Sequence, residues 1–463
     1  MSDVLSGREL LDRRRFLAGM SGGLGGVALC ALLSKDGLLA DEVAANPLAP
    51  RAPHFPAKAK RLIVLFMAGG PSHLDTLDPK PAVEQHAGKR PGAVDLRTER
   101  VTGGLMPSPF KFRPGGKSGL PVSDLLPNLR ACADDLCVVR SVHAVNPNHS
   151  PAANFLATGR IDAVHPGVGP WLTYGLGSEN ANLPGFVSLG GGFGSFGFER
   201  NGYLPGQHQA TKVSSRETDP EKMIRHLRNP RLDADRQRRQ VDALQALNTA
   251  HAAANGHDPQ LEARVRAMET AFHMQFAAGE AFDVRKEPLR VRERYGAGEF
   301  ANGCLLARRL VERGVRVVQV SNGGWDHHAR INTDLRKKCD EIDRPVAALL
   351  TDLRQRGLLD ETLVVWGGEF GRTPVSENGD GRDHNHFGFT VWMAGGGVKG
   401  GMAYGATDEF GFKAVENRVS VHDLHATILH QMGLDHEKLT YRYSGRDFRL
   451  TDVSGTVVKD ILA

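Results

Sequence analysis

The chain has 463 residues, of which 40% are hydrophobic and 24% are charged, a composition that fits a globular protein and excludes a disordered or collagen-like one. Its formal net charge is only +5, from 58 basic and 53 acidic residues, so nucleic-acid binding by bulk charge is not expected. Five cysteines without a C-x-x-C spacing exclude a disulfide framework and a cysteine zinc ribbon. The unusual count is that of histidine, with 19 residues.

Residues 1–45 have the pattern of an export signal. Arg13 and Arg14 precede an apolar, glycine-rich stretch over 18–33, as in signals of the twin-arginine pathway. That stretch is too short and too rich in glycine to be a good membrane span, and small residues near its end suit a cleavage site. We therefore expect a signal peptide, a linker over 46–60 and a periplasmic or secreted mature protein without a stable membrane span. The alternative is a buried N-terminal helix.

Continuous apolar runs alternate with helical patterns over residues 61–463. Runs that are apolar on both faces are typical of central strands in a parallel sheet. Together with the helical patterns between them, they predict one large α/β domain with a mostly parallel sheet. The runs are Leu62–Met67, Leu136–Val139, Val315–Val320, Leu363–Trp366 and Phe389–Ala394. The helical patterns cover Cys304–Val311, Ile342–Leu353 and Val421–Met432.

Residues 215–290 differ from the rest of the domain. They hold a cluster of arginines between Arg225 and Arg239, followed by helical spacing of apolar residues over 261–276. Basic and acidic residues nearly cancel in this region. The pattern favours a solvated helical insertion over an arm that binds a polyanion.

Residues of metal-ligand type cluster in loops at the ends of the predicted strands. Sites in open α/β sheets form beyond the carboxyl ends of the strands, so we expect these loops to meet at one edge. Oxygen ligands with a few imidazoles suit Zn²⁺, Mn²⁺, Mg²⁺ or Ca²⁺. The alternative is that these residues only shape turns or cap helices. The loops are Ser72–Asp78, His143–Ser150, Asn322–His328, Gly367–Arg372 and Arg382–His386.

Several specific stretches give the chain a resemblance to a known family. It resembles the family called domain of unknown function 1501 (DUF1501), a sulfatase-like family of the alkaline phosphatase superfamily. The resemblance implies an alkaline-phosphatase-like, three-layer α/β/α fold with a mostly parallel central sheet and one or two divalent metals at the strand ends. The stretches are AGGPSHLDTLDPKP (68–81), NHSPAANFLATGR (148–160), ARRLVERGVRVVQVSNGGWDHH (307–328), GGEFGRTP (367–374), GRDHNHFGFTVWMAGGGVKGG (381–401) and SGRDFRLTDVSG (444–455).

The resemblance also implies a set of metal ligands in these stretches. Their order along the chain is similar to that of metal ligands in the superfamily. In the neighbouring pairs His327–His328 and His384–His386, one side chain can point away from the metal to a supporting partner. His149, His327 and Asp383 are expected nearby. The candidate ligands are Asp75, Asp326, His328, Glu369, His384 and His386.

The stretch 149–160 lines up with the sulfatase motif C-S-P-S-R-x-x-L-L-T-G-R. His149 replaces the cysteine that sulfatases convert to formylglycine, and Ala153 replaces the motif arginine, so formylglycine chemistry is excluded. Ser150 is a candidate nucleophile beside a metal. The alternative is that Ser150 caps a helix beginning at Pro151. His149 is either a metal ligand or itself a nucleophile.

Arg372, close after Glu369, is a candidate for holding a phosphate or sulfate group through two parallel hydrogen bonds. The alternative is an ion pair with Glu369 or Asp383. The candidate catalytic residues are therefore His149, Ser150 and Arg372.

The leading functional hypothesis is an exported, metal-dependent hydrolase of sulfate or phosphate esters, with an anionic ester or polysaccharide as substrate. The first alternative is a non-catalytic, metal-containing binding protein on the same fold, because the sulfatase cysteine and arginine are absent. The second alternative is purely structural, with the histidines joining loops by hydrogen bonds.

Overall fold

The computed structural model describes residues 48–90, 98–190, 197–224, 227, 231–255 and 259–463, so the expected signal peptide lies outside the described residues. The strands are β1 (Arg61–Ala68), β2 (Phe112–Gly115), β3 (Leu120–Ser123), β4 (Leu136–His143), β5 (Phe186–Leu189), β6 (Thr211–Val213), β7 (Val317–Gly323), β8 (Thr362–Gly367), β9 (Gly371–Glu377), β10 (Gly381–Asn385), β11 (Phe389–Ala394), β12 (Met402–Tyr404), β13 (Ala406–Thr407), β14 (Ala414–Glu416), β15 (Val419–Ser420), β16 (Tyr441–Tyr443) and β17 (Arg446–Phe448).

The α-helices are α1 (His73–Thr76), α2 (Pro81–Gln85), α3 (Pro127–Ala131), α4 (His149–Thr158), α5 (Val168–Leu176), α6 (Pro220–Met223), α7 (Ala234–Asn255), α8 (Pro259–Ala281), α9 (Leu289–Tyr295), α10 (Glu299–Glu312), α11 (Ile331–Gln355) and α12 (Val421–Gln431). Short 3-10 helices lie at Ala133–Asp135, Gly206–His208, Val284–Lys286, Leu359–Glu361 and Lys459–Ile461.

A mostly parallel sheet runs through the centre of the fold. Its strand order is β12-β4-β11-β8-β1-β7-β5-β6, and β15 also pairs with β4. Neighbouring strands are parallel except at β11, which is antiparallel to both β4 and β8. Each of the five predicted apolar runs lies in or overlaps a strand of this sheet, namely β1, β4, β7, β8 or β11. The expected α/β class with a mostly parallel sheet is confirmed.

The direction of β11 follows from the path of the chain between β8 and β11. A parallel connection needs a crossover, usually a helix, but here the chain passes through the antiparallel β9–β10 hairpin. It therefore enters β11 from the edge at which the parallel strands end. The segment before β11 consequently lies at the same edge as the loops that follow β1, β7 and β8.

Helices cover both faces of the sheet. Successive side chains of a strand point to opposite faces, and β1 shows this directly. Ile63, Leu65 and Met67 belong to one core with residues of α10 and α11. Leu62, Val64 and Phe66 belong to a second core with residues of α4, α5 and α12. The central strands are apolar on both faces because both faces are covered, and the expected three layers are present.

The described residues from Pro50 onward form one compact unit. The long helices α7 and α8 fall within residues 215–290, the region for which the sequence predicts a helical insertion. In the parts of the chain that the structure describes, no helix combines the length and apolar character needed to cross a membrane.

Candidate metal centre

Four side chains meet at the edge where the parallel strands end. His149 is the first residue of α4, which follows β4, and Asp326 and His328 lie in the loop after β7. His384 lies in β10, shortly before the antiparallel β11. Each offers one ligand atom, and these atoms all lie within 4.8 Å of one another. Strand ends far apart in sequence therefore build one cluster of three imidazoles and a carboxylate.

The distances in this cluster are compatible with a metal site. Asp326 Oδ1 lies 2.8 Å from His328 Nε2 and 3.2 Å from His384 Nε2, and Asp326 Oδ2 lies 3.3 Å from His149 Nε2. The Nε2 atoms of His328 and His384 are 3.0 Å apart. In a tetrahedral site with bonds of about 2.1 Å, donor atoms lie roughly 3.4 Å apart. The arrangement of the four donors therefore fits one divalent ion.

Hydrogen bonding alone does not satisfy the cluster. The Nε2 atom of His149 is buried without a hydrogen-bond partner, because its 3.3 Å approach to Asp326 does not have the direction of a hydrogen bond. Three Nε2 atoms also converge on a single carboxylate. A cation bound between them would use the lone pairs that the protein leaves unpaired.

Two buried glutamates hold the outer nitrogens of the histidines. Glu369 Oε1 lies 2.7 Å from His149 Nδ1, and Glu377 Oε2 lies 2.5 Å from His328 Nδ1. Glu369 also accepts from the amide of Gly69 at 2.9 and 3.1 Å. A carboxylate on Nδ1 fixes the proton there and leaves the Nε2 lone pair for a metal. The two glutamates thus orient the His149 and His328 rings through the nitrogens that face away from the cluster.

The charges of the cluster are strongly coupled. Burial opposes a charge on His149, but the nearby carboxylates of Asp326 and Glu369 raise the pKa of His149 to about 9. Burial also disfavours the Asp326 carboxylate, yet the surrounding histidines and Arg372 hold the pKa of Asp326 well below its ordinary range. Asp326 therefore stays ionised at neutral pH, as a metal ligand must.

The cluster is open on the side of Asp326. The Asp326 side chain is 42% exposed, against 9% for His384. Ser150 is also exposed and lies in the first turn of α4, next to His149. On another side the ring of Phe370 packs against those of His149 and His384, with centroids 4.9 and 4.5 Å apart. The cluster is therefore accessible to solvent on the side of Asp326.

Ser150 does not occupy the capping position that one reading of the sequence assigned to it. The helix begins at His149, not at Pro151, and its N-cap is Asn148, whose side chain makes no capping hydrogen bond. Ser150 is therefore a residue of the first turn, because the helix starts two residues earlier than expected.

Arg372 takes a different position from both of those considered in the sequence. It is completely buried and pairs with Asp326 Oδ1 at 2.6 Å, not with Glu369 or Asp383. Its other donors bind backbone carbonyls, including Gly70 O at 2.9 Å and Arg382 O at 3.1 Å. The guanidinium thus holds Asp326 in place.

Asp75 lies outside the four-residue cluster. It is completely buried and forms an ion pair with Arg382, whose Nε and Nη2 lie 2.7 and 3.2 Å from the two carboxylate oxygens. Ser72 Oγ donates to the same carboxylate at 2.5 Å. Because both oxygens are used in this way, the structure assigns Asp75 to the attachment of α1 to β10.

In each neighbouring histidine pair the structure brings only one ring to the cluster. His328 belongs to it, while His327 is a separate buried ring whose pKa is lowered to about 4 by burial and by Arg372. His384 belongs to the cluster, while the His386 ring packs on that of Phe387, with the ring centroids 4.0 Å apart. Burial and the nearby His143 lower the pKa of His386 to about 4.

Two acidic residues complete the surroundings. Glu369, expected as a ligand, supports His149 from behind instead. Asp383 is completely buried, accepts from the amide of Arg100 at 2.8 Å, and has a potential ligand atom within 4.8 Å of those of His328 and Glu377. Glu377 was not singled out in the sequence, because it lies in a polar hairpin strand that no apolar run marks.

Residues 59–462 match the family described as Protein of unknown function (DUF1501), so the chain belongs to that family. No curated protein matches it. Similar solved structures include the PsFucS1 sulfatase from Pseudoalteromonas sp., with 13% identity, 88% of this chain and 70% of that chain covered, and a TM-score of 0.36. They also include the lipoteichoic acid synthase LtaP from Listeria monocytogenes, with 10% identity, 87% of this chain and 78% of that chain covered, and a TM-score of 0.38. A third is the phosphonate monoester hydrolase SpPMH from Silicibacter pomeroyi, with 12% identity, 81% of this chain and 73% of that chain covered, and a TM-score of 0.32.

Proposed function

We propose that this DUF1501 protein is an exported, metal-dependent hydrolase of phosphate or sulfate esters. One observation carries the proposal: three imidazole Nε2 atoms and the Asp326 carboxylate converge within 4.8 Å at a point that is open on one side. Catalytic sites keep a position for substrate; with four protein ligands this would be a fifth position, on the exposed side of Asp326. A nitrogen-rich donor set favours Zn²⁺ or a similar transition metal over Mg²⁺ or Ca²⁺, which prefer oxygen.

Each residue of the centre has a distinct role in this proposal. His149, His328, His384 and Asp326 hold the metal, and Glu369 and Glu377 keep the His149 and His328 rings in the metal-binding tautomer. A divalent metal bound there polarises an ester oxygen and lowers the pKa of a bound hydroxyl or water. His149 is a ligand here, not the nucleophile, because Glu369 and Asp326 occupy both sides of its ring.

The proposed nucleophile is the Ser150 hydroxyl. It is exposed in the first turn of α4, one residue after His149. Amides at a helix N-terminus stabilise a developing negative charge. Formylglycine is not involved, because His149 stands where the sulfatase motif has cysteine.

Export and substrate class are part of the same proposal. Arg13 and Arg14 support the twin-arginine pathway, and a periplasmic or secreted enzyme of this kind would meet anionic esters, including those on polysaccharides.

A non-catalytic metal-containing binding protein is the second candidate. The observation that favours it is the burial of Arg372, since this side chain holds Asp326 and leaves the binding of a substrate oxyanion to other groups. Measurements of metal content and turnover separate the two functions.

The test uses protein purified after export in its native host. Bound metal is measured by elemental analysis, and hydrolysis is followed with p-nitrophenyl phosphate and p-nitrophenyl sulfate. We expect about one metal ion per chain and turnover of one of the two esters. Asp326→Ala should lose both. Ser150→Ala should keep the metal and lose turnover, while the control Asp447→Ala, at an exposed position, should keep both.

Three results would contradict the proposal in different ways. Bound metal without turnover of either ester by the wild type would favour the binding protein. Metal-free protein that stays metal-free after incubation with Zn²⁺ and Mn²⁺ would remove the metal centre altogether. Full turnover by folded Ser150→Ala would exclude Ser150 as the nucleophile.

A further inference from the structure

A separate cavity of about 440 Å³ lies at the end of β7. It is formed by the start of α10, the last residues of β7 and the first half of α11. Its volume lies within the range of about 300–1,000 Å³ typical of small-molecule sites. The residues that matter for its chemistry are Gly298, Phe300, Asn322, Gly323, Lys338 and Glu341.

The charged side chains of this cavity are all paired. The Lys338 ammonium forms an ion pair with Glu341, and the Asn322 amide donates to the same carboxylate at 3.2 Å. Glu299 also lines the cavity and pairs with Arg216 at 2.9 Å. The cavity thus presents one ammonium, two carboxylates and an amide. Such a set can donate to hydroxyl groups and accept from them, whereas its single cation is already paired and does not favour an anion.

A short segment of the chain connects the wall of the cavity with the proposed metal centre. Gly324 lines the cavity and precedes Asp326 by two residues, which span at most about 7 Å. Trp325, between them, is completely buried, and its indole donates to Asn322 Oδ1 at 2.9 Å. The cavity wall and Asp326 thus belong to one short segment of the chain.

We propose that this cavity is the subsite for a neutral, hydroxyl-rich part of the substrate, such as a hexose ring, whose ester group lies at the metal centre. The proposal rests on the proposed hydrolase function, and it names the substrate class as sugar esters. The glycines at 298, 323 and 324 let a ring approach the backbone closely. Phe300 supplies an apolar surface for the C–H face of the ring.

Gly323 permits a direct test. A Cβ at this position would meet nothing within 4 Å, and the backbone there does not have positive φ. Gly323→Leu should therefore fill the cavity without strain. Gly279→Leu is the matched control, because a Cβ at Gly279 in α8 also meets nothing within 4 Å. Lys338→Met is a second cavity variant that leaves the backbone unchanged.

Binding of D-glucose, D-galactose, D-mannose and D-glucuronate to the metal-loaded proteins is measured by saturation-transfer NMR titration. We expect at least one neutral hexose to bind the wild type and Gly279→Leu equally, and to bind Gly323→Leu and Lys338→Met at least 10-fold more weakly. Glucuronate should bind no more tightly than the neutral sugars. All variants should have the metal content of the wild type.

The results for the subsite and for the hydrolase are distinguishable. Failure of every neutral hexose to bind the wild type, or equal hexose binding by Gly323→Leu and Lys338→Met, would overturn the subsite even if p-nitrophenyl esters are hydrolysed. Hexose binding that both cavity variants lose, without ester turnover by the wild type, would support the subsite and overturn the hydrolase.

Discussion

Two buried glutamates decide which nitrogen of His149 and of His328 faces the proposed metal centre. Glu369 and Glu377 are 1% and 2% exposed, so their carboxylates cannot turn to water when a histidine moves. Each holds an Nδ1 atom, of His149 and His328 respectively. The ligand geometry is therefore built into the protein before a metal binds, which lowers the cost of ordering the site.

Replacing either glutamate by glutamine should weaken metal binding. Glutamine keeps the shape and an acceptor oxygen but removes the negative charge that makes the imidazole more basic. We expect Glu369→Gln and Glu377→Gln each to lower metal affinity by about 10- to 100-fold, measured by competition with a chelator. Glu361→Gln, at a surface pair with Lys60, is the control. An affinity equal to that of the control would show that the glutamates do not tune the centre.

The candidate residues could be predicted from sequence only as far as the sheet edge. His149, Asp326, His328 and His384 follow or precede predicted strands, so topology alone brings them together. The direction of a side chain depends on its neighbours. Asp75 sits at the same edge, but the distant Arg382 pairs with both of its oxygens, and no local pattern in the sequence records that pair.

The β9–β10 hairpin is the element that joins the parts of the centre. It carries Arg372, Glu377, Arg382 and His384, and nearly all of its residues are buried. Apolar periodicity did not reveal it, because its buried side chains are largely polar and are satisfied by partners elsewhere in the chain. Its presence also explains why β11 runs antiparallel, a feature that the apolar run at Phe389–Ala394 could not show.

Breaking the ion pair between Asp75 and Arg382 should destabilise the protein strongly. Both side chains are almost completely buried, and removing one partner leaves the other charge buried without compensation. We expect Asp75→Asn to lower the free energy of unfolding by about 3–5 kcal/mol, measured by urea denaturation. Asp447→Asn, which breaks the exposed pair with Arg442, should cost less than about 1 kcal/mol.

Metal content gives this prediction a second measurement. If Asp75 serves only to attach α1 to β10, folded Asp75→Asn should retain the metal content of the wild type. If Asp75→Asn lost the metal while its free energy of unfolding stayed unchanged, Asp75 would instead be a metal ligand.

For the whole molecule, the layer arrangement was readable because it depends on local patterns. A strand covered by helices on both faces is mostly apolar, as the runs at 62–67 in β1, 136–139 in β4 and 363–366 in β8 show. The strand order was not readable, because it depends on pairing between segments far apart, such as β1 with β7. The same long-range packing encloses histidines far from the metal centre, including His208 and His425, which are both 2% exposed.

These two histidines make the stability of the fold depend on pH. Burial lowers the pKa of each to about 3, below the ordinary value of about 6.5 that applies in the unfolded chain. The unfolded state therefore binds more protons than the folded state. The stability that depends on these two neutral histidines is fully present above pH 6.5 and is lost as the pH falls toward 3. Each of these histidines should lower the free energy of unfolding by about 1 kcal/mol when the pH falls from 6.5 to 5.5.

Urea denaturation at pH 6.5 and at pH 5.5 measures this loss. The free energy of unfolding should change less between the two pH values for His208→Asn than for the wild type or for the exposed-site control His86→Gln. Metal-site histidines titrate alike in all three proteins and cancel in this comparison. An equal difference in all three would mean that His208 is not held neutral by burial.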